Sequence, residues 1–128
     1  CLLDLVERID RTRFRLLVAC SAPTFAREAE RRDVEAVRVA KWHTSAVNAA
    51  LLRPAVRRLL AGRDVALVHA NMPHALPTLL PLARAARTPV LAHLHLPYAG
   101  FHPRLQRAVR RATMVVGVAE NVVAPLRA

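Results

Sequence analysis

The stretch that most constrains this chain runs Thr88-Pro89-Val90-Leu91-Ala92-His93-Leu94-His95-Leu96-Pro97-Tyr98. Val90, Leu91 and Ala92 form a continuous apolar run of the kind buried in a parallel sheet, and Pro89 stands at its entrance, where a missing N–H costs the ladder least. The strand then turns polar at its carboxyl end. His93 and His95 are two residues apart on extended backbone, so both imidazoles point to one side and Leu94 to the other. Pro97 and Gly100 bend the chain away. Ligands of open α/β sheets collect outside the carboxyl ends of the strands, which is where the two imidazoles fall. The plain alternative is a pair of hydrogen-bonded, partly buried histidines with no chemistry.

The rest of the chain reads as strands alternating with helices. Leu2, Leu5, Val6 and Ile9 share one helical face. Residues 14–19 suit a strand, and Ser21 is placed to cap a helix that has Pro23 in its first turn and runs through 24–32. Residues 34–40 supply a second short strand. From Thr44 to Leu60 the residues Val47, Leu51, Leu52, Val56, Leu59 and Leu60 recur at helical spacing, and Gly62 ends the run. Pro54 inside it predicts a kink or two helices. Arg53, Arg57 and Arg58 make a basic face there, most simply a solvated one.

Residues 64–73 repeat the pattern of the opening stretch, an apolar run followed by His69, Asn71 and Pro73. Asn71 or His74 is placed to start the next helix, through Leu76 to Ala86, with Pro77 and Pro81 making its early part irregular. After the His93/His95 strand, His102-Pro103 opens a helix with Leu105, Ala108 and Val109 inward and Arg104, Arg107, Arg110 and Arg111 outward. Met114 to Val118 is a further strand, and Glu120 follows it. This alternation predicts an α/β fold with a parallel, Rossmann-like sheet and helices on both faces. The chain enters at Cys1 directly on a helical pattern, so a fragment of a longer protein is expected.

Composition narrows the function classes. The formal net charge is +11 with Lys41 the only lysine, which favours polyanions or acidic membrane surfaces as partners. The arginines are scattered, aromatic residues are 4%, and no zinc-finger or RNP-like signature occurs, which argues against a nucleic-acid binder. Cys1 and Cys20 make no disulfide framework, so a reducing, cytoplasmic setting is the simplest expectation. No apolar run approaches the ~20 residues that span a bilayer.

Three segments carry a family resemblance: Asp-Val-Ala-Leu-Val-His-Ala-Asn-Met-Pro at 64–73, Pro-Val-Leu-Ala-His-Leu-His at 89–95, and Arg-Arg-Ala-Thr-Met-Val-Val-Gly-Val-Ala-Glu-Asn at 110–121. In that order and spacing the chain resembles the N-terminal domain of family 4 glycosyltransferases, retaining enzymes of the two-Rossmann-domain GT-B architecture. The resemblance runs from about Leu2 to Leu126. It implies that residues 1–128 are a partial N-terminal, acceptor-side domain that lacks its first, central strand and glycine-rich loop. A C-terminal nucleotide-sugar-binding domain with a glutamate pair is also expected and not contained in these residues, so the fragment alone should be inactive.

The resemblance implies site residues as well. His95 matches the family's catalytic histidine beside the donor sugar. His69 and Asn71 match the segment after the preceding strand, and with His93 and Glu120 they are the expected substrate-binding residues. Ala119 stands where the family's Val-Ser-Glu segment has serine. No metal and no resident cofactor is implied; the donor nucleotide sugar is a co-substrate. The implied acceptor is a glycan or a lipid-linked sugar. The outward arginines of 104–111 would suit peripheral contact with the anionic inner face of the membrane. Competing readings are a GT-B nucleotide-sugar epimerase and a metal hydrolase built on His69, His93, His95 and His102. A dinucleotide-binding module would need a Gly-x-Gly-x-x-Gly turn, which the three glycines do not form.

Overall fold

A computed structural model describes residues 2–39 and 46–126. The chain divides into two compact units, Cys1–Lys41 and Trp42–Ala128. The described residues make an α/β protein in which every strand pair is parallel. The expected strand end at Ala40 and helix start at Thr44 lie outside the described residues.

The first unit contains α1 (Leu2–Arg8), β1 (Leu17–Cys20), α2 (Pro23–Glu30) and β2 (Glu35–Arg38). β1 pairs with β2 from Leu17↔Glu35 to Cys20↔Arg38, and α2 is the crossover that a parallel pair requires. Its core is Val6, Ala29 and Val34, with Leu16, Val18 and Ala36 packed alongside. So small a core accepts only part of the apolar stripe of α1: Val6 is buried, while Leu5 is 44% exposed. The strand expected from residue 14 begins only at Leu17. The amide of Phe14 is bonded to Asp10 O (3.0 Å), and Thr12 donates both its amide and its hydroxyl to the Asp10 carboxylate. That turn keeps residues 10–14 out of the ladder.

Ser21 does not cap α2. The N-cap is Ala22, without a side-chain bond, and Pro23 takes the first helical position, where its missing N–H removes one of the donors a cap would satisfy. Charged groups add what the small core lacks. The Arg11 guanidinium donates to the carbonyls of Val6, Arg32 and Asp33, tying the end of α1 to the end of α2. Arg32 in turn pairs with Glu7 at 2.7 Å and with Glu28.

The second unit contains α3 (Ala46–Ala61), β3 (Val68–Ala70), a 3-10 turn at Pro73–Ala75, and α4 (Leu76–Ala85). β4 (Val90–Leu94), a turn at Tyr98–Gly100, α5 (Pro103–Arg110), β5 (Met114–Gly117) and α6 (Glu120–Val123) follow. The sheet order is β3-β4-β5. The register pairs Val68 with Val90 and Ala70 with Ala92, then Ala92 with Val115. These residues therefore share one face, and with Leu94 they meet Leu76, Leu79, Leu80, Leu82, Ala108 and Val109 in the core. The other face carries His69, Leu91, His93, Met114 and Val116, of which Met114 is 60% exposed.

Two expectations shift here. β3 begins at Val68, not within 64–67, because its ladder starts where the Val68 amide bonds Pro89 O (3.0 Å); Leu67 is left outside and exposed. α3 is one continuous helix with Pro54 inside it, closed by the Gly62 amide on Arg58 O. Leu52 and Val56 are its buried residues, while Val47 and Leu51 face solvent. Pro54 lies on the exposed side, where the carbonyl it leaves unbonded can be met by water.

Candidate functional site

Parallel strands end together. β3 and β4 therefore deliver their last residues to one edge of the sheet, and the sequence at that edge is His69-Ala70-Asn71 beside His93-Leu94-His95. His69 is in register with Leu91, so His93 stands two residues further along on the same face. His69 Nε2 lies 3.3 Å from His93 Nδ1, with the rings stacked at 5.4 Å between centroids. The His93 and His95 rings are 4.4 Å apart, and Leu94 between them is fully buried. The alternation read from the sequence thus holds: imidazoles to one side, leucine to the core.

His95 is carried one residue past the strand and held from across the gap. Its Nε2 lies 3.2 Å from Asn71 Oδ1. An amide oxygen only accepts, so in this bond it is His95 Nε2 that donates. Asn71, expected as a helix starter or a ligand contact, spends its side chain on this bond. The turn at Pro73–Ala75 begins without any side-chain cap.

Burial sets the charge state of the inner pair. It pushes the His69 imidazole below its ordinary value, helped by the neighbouring His93 and His95 rings. His93 is lowered likewise, first by burial and then by His95. Both rings are therefore neutral at pH 7, one donating to the other. The His69–His93 pair offers uncharged hydrogen-bonding nitrogens at a half-buried rim, a chemistry suited to hydroxyl groups.

Glu120 approaches from the third strand. The Val118 amide bonds Leu94 O (3.1 Å), extending the β4–β5 ladder past Gly117, and the chain then turns into α6 with Glu120 as its first residue. Gly117 permits that turn: a Cβ there would lie 2.6 Å from Val123 Cγ1. Glu120 is exposed, in the first turn of α6, where an acid complements the helix dipole. Hydrogen-bond and ring contacts join His69, His93, His95 and Asn71. His102 stands apart from them in role: its Nδ1 accepts the Arg104 amide at 3.3 Å as the N-cap of α5. Among the described residues no group of three or more His, Cys, Asp or Glu side chains is arranged to hold a metal ion.

One set of residues escaped the sequence reading. The loop that leaves His95 is fastened to α5 by Tyr98, Gln106 and Arg110. Arg110 Nε donates to the Tyr98 hydroxyl at 2.8 Å and its guanidinium lies 5.3 Å from the ring centre. Gln106 Nε2 donates to the carbonyls of Tyr98 and Ala99. Arg110 is exposed, as its outward helical spacing predicts, and nothing periodic in the sequence links it to a loop residue twelve positions earlier. Tyr98, a lone tyrosine after Pro97, was the only signal. Comparison with family models, curated proteins and solved structures gives no match.

Proposed function

We propose that this chain is the acceptor-side, N-terminal part of a retaining GT-B glycosyltransferase resembling family 4. The observation that carries the reading is the joined set His69, Asn71, His93 and His95 at the carboxyl edge of adjacent parallel strands. The strand pairings agree with it. β1 with β2, and β3-β4-β5 in sequence, are the neighbours that a Rossmann order of 3-2-1-4-5-6 retains when strand 1 is withdrawn.

In this reading a second, C-terminal domain holds the nucleotide sugar, and the two domains together perform transfer. The bond from the anomeric carbon to the phosphate oxygen breaks, its electrons leave with the nucleoside diphosphate, and the acceptor hydroxyl oxygen bonds the same carbon from the same side while its proton passes to the departing phosphate oxygen. His95 Nδ1 accepts a hydrogen bond from a hydroxyl of the donor sugar and holds the ring in place while charge develops on the leaving phosphate. Asn71 fixes the His95 ring, and the neutral His69–His93 pair serves hydroxyls of the acceptor. Glu120 sits at the third strand's exit as a further substrate contact. The acceptor class is a glycan or a lipid-linked sugar.

The test is transfer by the two-domain enzyme from nucleotide sugars, with the anomeric configuration of the product read by NMR. A product of inverted configuration, or no transfer from any nucleotide sugar, sinks the reading. Within it, His95→Ala is expected to lower kcat/KM by about 100-fold or more with unchanged thermal stability. Full activity in that variant removes His95 from the chemistry.

A further inference from the structure

The solvent side of α3 combines two features that α5 does not. On a 3.6-residue helix, Val47, Leu51, Pro54, Arg57 and Arg58 fall within an arc of about 120°, with Arg53 at its margin. Val47 is 71% and Leu51 63% exposed, whereas Leu52 and Val56 on the opposite side are 1% and 3%. No acidic residue occurs in the helix. Among the described residues Arg53, Arg57 and Arg58 enter no ion pair and no side-chain hydrogen bond. They border a shallow depression around Pro54. α5 has arginines too, but its apolar residues Leu105, Ala108 and Val109 are all buried, and Arg110 is committed to Tyr98. It shows charge with nothing to insert.

We propose that the solvent side of α3 docks this protein on an anionic lipid bilayer. The partner follows from the chemistry of the face. Guanidinium groups reach lipid phosphates while Val47 and Leu51 enter the boundary with the acyl chains, and an interfacial helix needs both. A nucleic acid would use the arginines but leaves the two aliphatic side chains without a role, and among the described residues the face offers no aromatic ring for a base to stack on. The proposal does not depend on the glycosyl-transfer reading. It moves the membrane contact expected from the arginines of α5 to a different helix.

The full chain is sedimented with vesicles of phosphatidylcholine alone and of phosphatidylcholine mixed with phosphatidylglycerol. Binding is expected only to the mixed vesicles. The triple variant R53Q/R57Q/R58Q should weaken it by on the order of a hundredfold, at roughly fivefold per arginine near the surface. V47S/L51S should weaken it by about tenfold, and R104Q/R107Q/R111Q by less than about threefold. Equal binding to neutral vesicles, full binding by either α3 variant, or an α5 variant that loses as much as the α3 triple overturns the proposal. So does a single-stranded oligonucleotide that binds tightly, is lost with the α3 arginines and is indifferent to V47S/L51S; that outcome assigns the face to nucleic acid. Should a variant lose its far-ultraviolet circular dichroism, hydrogen exchange of the unaltered chain decides: amides of 47–58 gain protection on anionic vesicles, and unchanged exchange there overturns the proposal.

Discussion

The β1-α2-β2 module of the first unit and the β3-α4-β4 module of the second turn from helix to strand by the same device. α2 ends with Asp33 at φ 53 and the Val34 amide on Ala29 O; α4 ends with Arg87 at φ 56 and the Thr88 amide on Ala83 O. Beyond that turn they diverge. β4 alternates buried and half-buried residues over a core of fifteen residues, while β2 is half-buried at best and its module rests on three. The carboxyl edges differ accordingly. In the second unit the edge holds three imidazoles and an amide in mutual contact. In the first, among the described residues, it holds Cys20, whose thiol donates to Ala22 O and is pushed above 9.0 by burial, so it stays protonated and unreactive at pH 7. The turn delivers a strand end in both; the depth of packing beneath decides whether the side chains delivered there form a site.

The sharpest way to break the comparison is to thin the two cores. Leu94→Ala removes a fully buried side chain directly between His93 and His95 and should cost about 2–5 kcal/mol. Val34→Ala, in the smaller core, should cost about 1–2 kcal/mol. Denaturant unfolding followed by amide exchange in β1 and β4 separates the two, and equal losses would mean that core depth does not distinguish the units. The shared turn gives a smaller contrast. Arg87→Gly relieves a left-handed residue that has a β-carbon and should stabilise the second unit by about 0.5–1 kcal/mol. Asp33→Gly should change the first by less than about 0.5 kcal/mol, because aspartate tolerates that conformation and glycine adds entropy to the unfolded chain. A shift in Tm of the same size for both would contradict this.

What the sequence disclosed follows from the range of each interaction. Val90–Leu94 was legible because its signal is local: an apolar run, a proline before it, and alternation that sends His93 and His95 one way and Leu94 the other. The parallel α/β arrangement was legible from the alternation of strand and helix patterns. Long-range facts were not. That Asn71 spends its amide on His95 depends on two strands being adjacent, and so does the His69–His93 contact. Leu5, Val47 and Leu51 had the spacing of inward residues and are exposed, because periodicity identifies an apolar stripe but not the width of the surface it meets. Ser21 had the chemistry of a cap, yet Pro23 left it little to satisfy. The Tyr98–Arg110 fastening joins a loop to a helix and has no period at all.

The mildest contrast is in response to acid. His69 and His93 have folded values below the ordinary 6.5, so between those depressed values and 6.5 the unfolded chain binds more protons than the folded one. Their contribution is complete above 6.5 and is lost as pH falls through that window. Residues 2–39 contain no histidine. Their perturbed carboxylates respond lower: Asp10 is held below 3.8 by bonds from Thr12, and Glu28 below 4.5 by Arg32, so their stabilisation persists until pH falls below those ordinary values. Between about pH 7.5 and about pH 5.5, amide protection in β3 and β4, corrected for intrinsic exchange, should fall while that in β1 and β2 holds. His69→Gln with His93→Gln should flatten the response, since glutamine keeps a hydrogen-bonding group without a titrating one. If protection in both units falls together, or if the double glutamine variant remains as acid-sensitive, the neutral imidazole pair is not what makes the second unit yield first.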